Sequence, residues 1–211
     1  ISSIVLTIVF GFDDGSSQFI LSNYLLNLVK VFILSIIILL IHYYSLKIIA
    51  NFSGATIDFK PWTTKRFGFR PHMKSKYLFP TGIIIPLLIT LISRGQLLFS
   101  ATTTSDLSVK PAYRIGRKYT RLTSFEHAKI AASVLFIHIL LAIITKTIPL
   151  EIFQTFSLMN SIMAISYILP IPGLLGSTIF FESPPLYVFT VIFILITAIL
   201  LKTIGSLPAL I

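Results

Sequence analysis

Cysteine is absent from this chain of 211 residues, which excludes disulfides, thiolate zinc sites and cysteine nucleophiles. Charge is scarce as well. Only 11% of residues are Asp, Glu, Lys or Arg, against roughly 25% in an ordinary soluble domain. Acids are the rarer sign, 7 against 17 bases. A chain that is 55% hydrophobic, with a mean hydropathy of +0.93, carries more apolar surface than a water-soluble interior can hide. It reads as an integral membrane protein. The acid deficit leaves a net charge of +10, but no aromatic–basic motif accompanies it, so nucleic acid is not an expected partner. Loops rich in Lys and Arg on the cytoplasmic side explain the charge instead. Also missing are glycine-rich phosphate loops, a Ser/His/Asp arrangement, internal repeats, and a basic run before "ISSIVLTIVF" that would support a signal peptide.

What is present is a series of apolar runs. Residues 1–12 read as the end of an N-terminal span, with residues expected before them, and "DDGSSQ" breaks that run with turn chemistry. Residues 19–50 are long enough to span, and Lys30 within them must face protein or snorkel. Residues 56–77 alternate Ile57 and Phe59 with Asp58 and Lys60, a strand signal, and Pro61 with its threonines predicts a small hairpin after Gly54. Residues 83–92 contain Pro86 and lie between Gly82 and Gly95. Ten residues are too few to cross a bilayer, which predicts a re-entrant or interfacial segment.

Further spans are expected at 123–146, 152–169 and 186–201, the first opened by a capping box of Thr123 with Glu126. "LPIPGLLGS" interrupts helicity through Pro170, Pro172, Gly173 and Gly176. The expected class is thus an all-α polytopic membrane protein, one membrane domain over 1–211, with about four to five spans, a short β-hairpin and one re-entrant or interfacial segment.

Bases gather in two places. Lys60, Lys65, Arg66, Arg70, Lys74 and Lys76 fall in 56–77; Lys110, Arg114, Arg117, Lys118 and Arg121 fall in 100–121. The positive-inside rule puts both segments in the cytoplasm, which agrees with a re-entrant segment between them. They also suit anionic lipid headgroups or an acidic partner. Trp62, Phe67, Phe69 and Tyr77 read as interfacial anchors. "NFS" at Asn51 matches a glycosylation sequon, but on the side where no glycan is added.

Three stretches in order resemble the site-2 protease family of intramembrane zinc metalloproteases, particularly its archaeal and bacterial forms. "HYYSLKIIANFSG" lies on the family's HExxH and following Gly, placing His42 on the first zinc histidine and Gly54 on the Gly. "IAASVLFIHILLA" is similar to the middle helix, and "YILPIPGLLGS" is similar to "NLLPIPPLDGG". The resemblance implies a site-2-protease-like core and an archaeal or other prokaryotic cell membrane. It also exposes what is lost. A zinc protease of this kind needs two histidines at i and i+4 with a Glu between them as general base. Tyr43 stands at the Glu, Leu46 at the second His, Leu175 at the Asp ligand, and Tyr167 at the Asn that begins the motif. No catalytic residue, metal or cofactor is therefore expected.

His42 reads either as a metal ligand or as a polar residue at a helix end, bonded or reaching interfacial water. His138 falls where the family has an Asn near the cleft, so the two histidines are expected within a few residues of each other. A His–His–Tyr site with Tyr43 or Tyr167 is the sharp reading, and a polar contact between helices the bland one. His127 is expected at the membrane surface. The function implied is that of a structural or accessory subunit in a larger membrane complex, with lipids and other integral membrane subunits as partners. A pseudoprotease that holds transmembrane clients uncut is the alternative; a residual metalloprotease or a transporter ranks below. Phe153, Phe156, Phe189 and Phe193, paired at i, i+3 or i+4, are candidate partner contacts, with plain lipid-facing aromatics as the rival reading.

Overall fold

The structure, a computed structural model, describes residues 1–12, 20–66, 74–109 and 122–206. Within them lie seven helices and four strands, in the order α1 (Ser2–Phe10), α2 (Leu21–Phe52), β1 (Ala55–Pro61), β2 (Thr64–Arg66), β3 (Lys74–Phe79), α3 (Thr81–Ile92), β4 (Thr103–Val109), α4 (Ser124–Lys146), α5 (Glu151–Tyr167), α6 (Leu175–Glu182) and α7 (Pro184–Ser206). Three helices, α2, α4 and α7, are long and apolar enough to cross a membrane. The span expected at 152–169 is the shorter α5, whose 17 residues extend about 26 Å.

α4 is the central helix. Ala128, Ala131, Ala132, Leu135, His138, Ile139, Ala142 and Thr145 are all buried, a stripe of mostly small residues at helical spacing. Small side chains let neighbouring backbones come close, which is how helices pack where lipid removes the hydrophobic drive between them. Over its most apolar stretch α4 is 56% buried, against 22% for α2 and α7, which form the outside of the bundle. The capping box predicted at the start of α4 is formed: Thr123 Oγ1 accepts from Glu126 N–H, and Glu126 accepts from Thr123 N–H. That satisfies two of the donors a helix start leaves open.

The hairpin expected directly after Gly54 takes a different form. β1 pairs antiparallel with β4, more than forty residues on, with Ala55 opposite Val109 and Pro61 opposite Thr103. The local antiparallel pair is β2 with β3. Alternation at Ile57 and Phe59 marks a strand but carries no information on its partner. The consequence is topological. The chain leaves the β1–β4 sheet, runs through α3, and returns to that sheet. The 12 residues of α3 extend about 18 Å, too short to cross.

Trp62, expected as an interfacial anchor, is instead 1% exposed. Its N–H donates to the Thr102 carbonyl at 2.9 Å, its carbonyl accepts from Gly82 N–H at 2.8 Å, and its indole N–H donates to the Pro172 carbonyl at 3.1 Å. One residue, through its backbone and its indole, thus ties the sheet, α3 and the "LPIPG" turn together. The turn itself is closely packed. Gly173 has φ +93°, and a Cβ at Gly176 would stand 1.9 Å from the Ile168 carbonyl oxygen, where nothing but hydrogen fits. These contacts explain two of the glycines in the motif. Beyond the turn the chain forms α6, a helix that the sequence pattern, dominated by turn residues, does not suggest. Of the other expected anchors, Tyr77 is exposed, whereas Phe67 and Phe69 lie outside the described residues, as do Arg70 and the bases from Lys110 to Arg121.

Candidate functional site

A buried polar centre crosses the middle of the bundle. His42 comes from α2, His138 from α4 and Asn160 from α5, and all three are at most 1% exposed. His42 Nδ1 lies 3.0 Å from His138 Nε2, and His138 Nδ1 lies 2.9 Å from Asn160 Oδ1. Asn160 Nδ2–H donates to the Phe156 carbonyl at 2.9 Å. A main-chain carbonyl only accepts, so it fixes which way the Asn160 amide faces. Oδ1 then accepts, His138 carries its proton on Nδ1, and its Nε2 is an acceptor. His42 must donate from Nδ1, which leaves the lone pair on its Nε2. Each link follows from the one before.

Tyr167, the last residue of α5, packs on the other side of His42 with ring centres 4.6 Å apart. Its hydroxyl accepts from Thr103 N–H at 3.1 Å and also bonds the Thr103 hydroxyl. The neighbouring Ser100 N–H donates to Ser166 Oγ at 3.0 Å. The chain entering β4 is thereby stitched to the end of α5, over the two histidines. His42, Thr103, Thr104, Ser105, Tyr167, Gly173 and Leu175 line a cleft so narrow that no water-sized sphere fits inside.

The residues singled out by the resemblance therefore divide. His42, Tyr167 and Leu175 line one cavity, and His138 bonds His42. Leu46 is fully buried in the hydrophobic core with Leu175. Tyr43 turns toward Phe59 and Tyr44, with ring centres 5.5 and 5.2 Å away. His127 lies apart, its Nδ1 3.7 Å from a Glu182 carboxylate oxygen, linking α4 to α6. Asn160 and Thr103 escaped the sequence reading. An amide midway along an apolar helix is the available signal for Asn160, since such a group needs a partner inside the bundle. Thr103 sits in a polar stretch with nothing to mark it.

The donor set does not suit a catalytic zinc, which takes three protein ligands and leaves one open position. His138 uses both ring nitrogens on protein partners, Leu46 and Leu175 present carbon, and no three His, Asp or Glu side chains converge among the described residues. What the arrangement does is pair buried polar atoms of α2, α4 and α5 with one another.

The candidate contact phenylalanines also divide. Phe156 and Phe193 pack partly against the core, Phe153 is half-buried, and Phe189 is exposed. Phe193 meets Phe136 edge to face at 5.2 Å, and Phe189 stacks on Phe193 at 6.4 Å. Comparison with known proteins finds no matching family model, no matching curated protein and no matching solved structure.

Proposed function

We propose that this chain is a non-catalytic membrane protein with a site-2-protease-like core, serving as a structural or accessory subunit of a larger membrane complex. The observation that carries the reading is the closure of the polar centre. His42 Nδ1 is bonded to His138, Tyr167 and Leu175 stand beside the ring, and the space between them admits no water-sized sphere. Without water beside a polarising group there is nothing for such a centre to activate. Its remaining value is to fix α2, α4 and α5 in one arrangement, as satisfied buried polar networks do. A rigid bundle of this kind offers its outer surface, and the exposed apolar faces of α2 and α7 are the largest part of it. The basic segments facing the cytoplasm in a prokaryotic membrane belong to the same reading.

Purification in mild detergent followed by crosslinking tests this. A fixed partner should co-purify at a constant ratio and bury more than about 800 Å² against the chain, the range above incidental contacts. A strictly monomeric particle overturns the proposal. The client-holding alternative draws on the position of the cavity, between the His42 helix and the "LPIP" segment. It requires that cavity to open, and crosslinkers at Tyr43 or Leu175 should then capture many different helices in place of one subunit.

A further inference from the structure

A second cleft lies at the opposite end of the bundle from the sheet, between the first third of α2 and the start of α5. Its volume is about 410 Å³, and it is lined by Asn27, Lys30, Val31, Leu34, Leu150, Glu151, Ile152 and Thr155. Lys30 and Glu151 are both exposed, and among the described residues no ion pair joins either to a partner. One cation and one anion therefore border a single opening without neutralising each other.

The depth of this cleft is readable from the helices. Asn23, Asn27 and Lys30 recur at i, i+4 and i+7 on α2, after which residues 31–41 are apolar except for Ser35. Lys146 closes α4 and Glu151 opens α5 across a short turn. Charges and amides gather at this level, as they do where the hydrocarbon of a membrane ends. Ile33 and Ile37, three and seven residues past Lys30 on the same stripe, are exposed, a lipid-facing track leading inward from the cleft.

We infer that the cleft is a binding site for a phospholipid whose headgroup carries both a phosphate and an ammonium group. Lys30 receives the phosphate, Glu151 receives the ammonium, and the amide of Asn27 lies within the same wall to donate to phosphate oxygens. The acyl chains run along the Ile33–Ile37 track. A purely anionic headgroup satisfies Lys30 but places negative charge against Glu151, so it binds less well. A water-soluble phosphoamine has the headgroup chemistry without the chains, and gains nothing from the apolar track.

Native mass spectrometry of the detergent-solubilised full chain, incubated with equimolar phosphatidylethanolamine and phosphatidylglycerol, tests the assignment. The wild-type chain is expected to retain the ethanolamine lipid in preference. Glu151→Gln is expected to lower that preference about fivefold, the scale of one partly exposed ion pair, while retaining the glycerol lipid. Lys30→Gln is expected to weaken both. Both residues are exposed, and far-ultraviolet circular dichroism checks that the variants stay folded. Equal retention of the two lipids by the wild-type chain, or variants that behave as wild type, overturns the inference. Displacement of bound lipid by equimolar glycerophosphoethanolamine also overturns it, by showing that the cleft prefers a soluble zwitterion.

Discussion

His42 Nδ1 donates across 3.0 Å to His138 Nε2, joining α2 to α4 through two imidazoles that have no contact with bulk water. His138→Leu leaves the His42 donor and the Asn160 carbonyl oxygen buried and unpaired. Stability should fall by about 1–3 kcal/mol. The double variant His42→Leu/His138→Leu removes both ring partners and should lie closer to wild type than the sum of the single changes. Thermal unfolding in detergent for the four members of this cycle measures the coupling, and strict additivity would show that the bond is worth nothing.

Gly176→Ala should be among the most damaging changes in the chain. The added Cβ would meet the carbonyl groups of Ile168 and Leu169, and backbone cannot step aside as a flexible side-chain end can. A loss of about 3 kcal/mol or more is expected, visible as loss of monodisperse protein on size exclusion. Normal yield and an unchanged melting temperature would contradict the packing described for the turn.

Thr123→Ala deletes the capping box of α4 and should cost about 1 kcal/mol. Ser133→Ala provides the control, because that hydroxyl donates only to the Lys129 carbonyl of its own helix. Melting temperatures should fall for the first variant and stay near wild type for the second.

Lys60 lies on the sheet against Asp106, and the hydrogen bond to that carboxylate, followed by its charge, holds the Lys60 ammonium above its usual pKa. A raised lysine pKa contributes stability below the unfolded value of about 10.4, and the contribution disappears as pH rises through the folded value. The pair is exposed, so the effect should be small and should shrink with added salt. Asp106→Asn should flatten the loss of stability above about pH 10, and comparison of alkaline melting curves checks it.

Because these 211 residues include no cysteine, single introduced thiols report topology without background. Cysteines at Lys65 and Ser105 should react with a membrane-impermeant reagent from the same side, since Trp62, three residues before Lys65, is hydrogen-bonded to Thr102, three residues before Ser105. A cysteine at Lys146, at the far end of α4, should react from the other side. One at Leu91, on the exposed face of α3, should resist the reagent. Labelling of Lys65 and Ser105 from opposite faces would rule out the path described for α3.

Much of the helical framework can be read from sequence, because hydropathy and caps are local. The Thr123–Glu126 pair marks the start of α4 to the residue, and the apolar runs locate α2 and α7 to within a few residues at most ends. Pairing between distant segments is another matter. β4 reads "TTSDLSV", a polar strand with weak alternation, so nothing in it advertises β1 as its partner. Trp62 suffers the same way: an aromatic beside a basic loop looks interfacial until the sheet and the "LPIPG" turn close over it. Around His42 the sequence supplies the histidines and the turn, but the partners that settle the tautomers, Asn160 and the Phe156 carbonyl, emerge only when α5 is laid against α4.

The burial of Trp62 has a practical consequence. It is the sole tryptophan of the chain, so all indole emission comes from the one point where the sheet, α3 and the 172–173 turn meet. A red shift in that emission would signal undocking of the turn, and if the turn opens as a local unit the shift should precede the loss of helical circular dichroism on heating. The chain thus carries an intrinsic fluorophore at the joint most worth watching, with no label required.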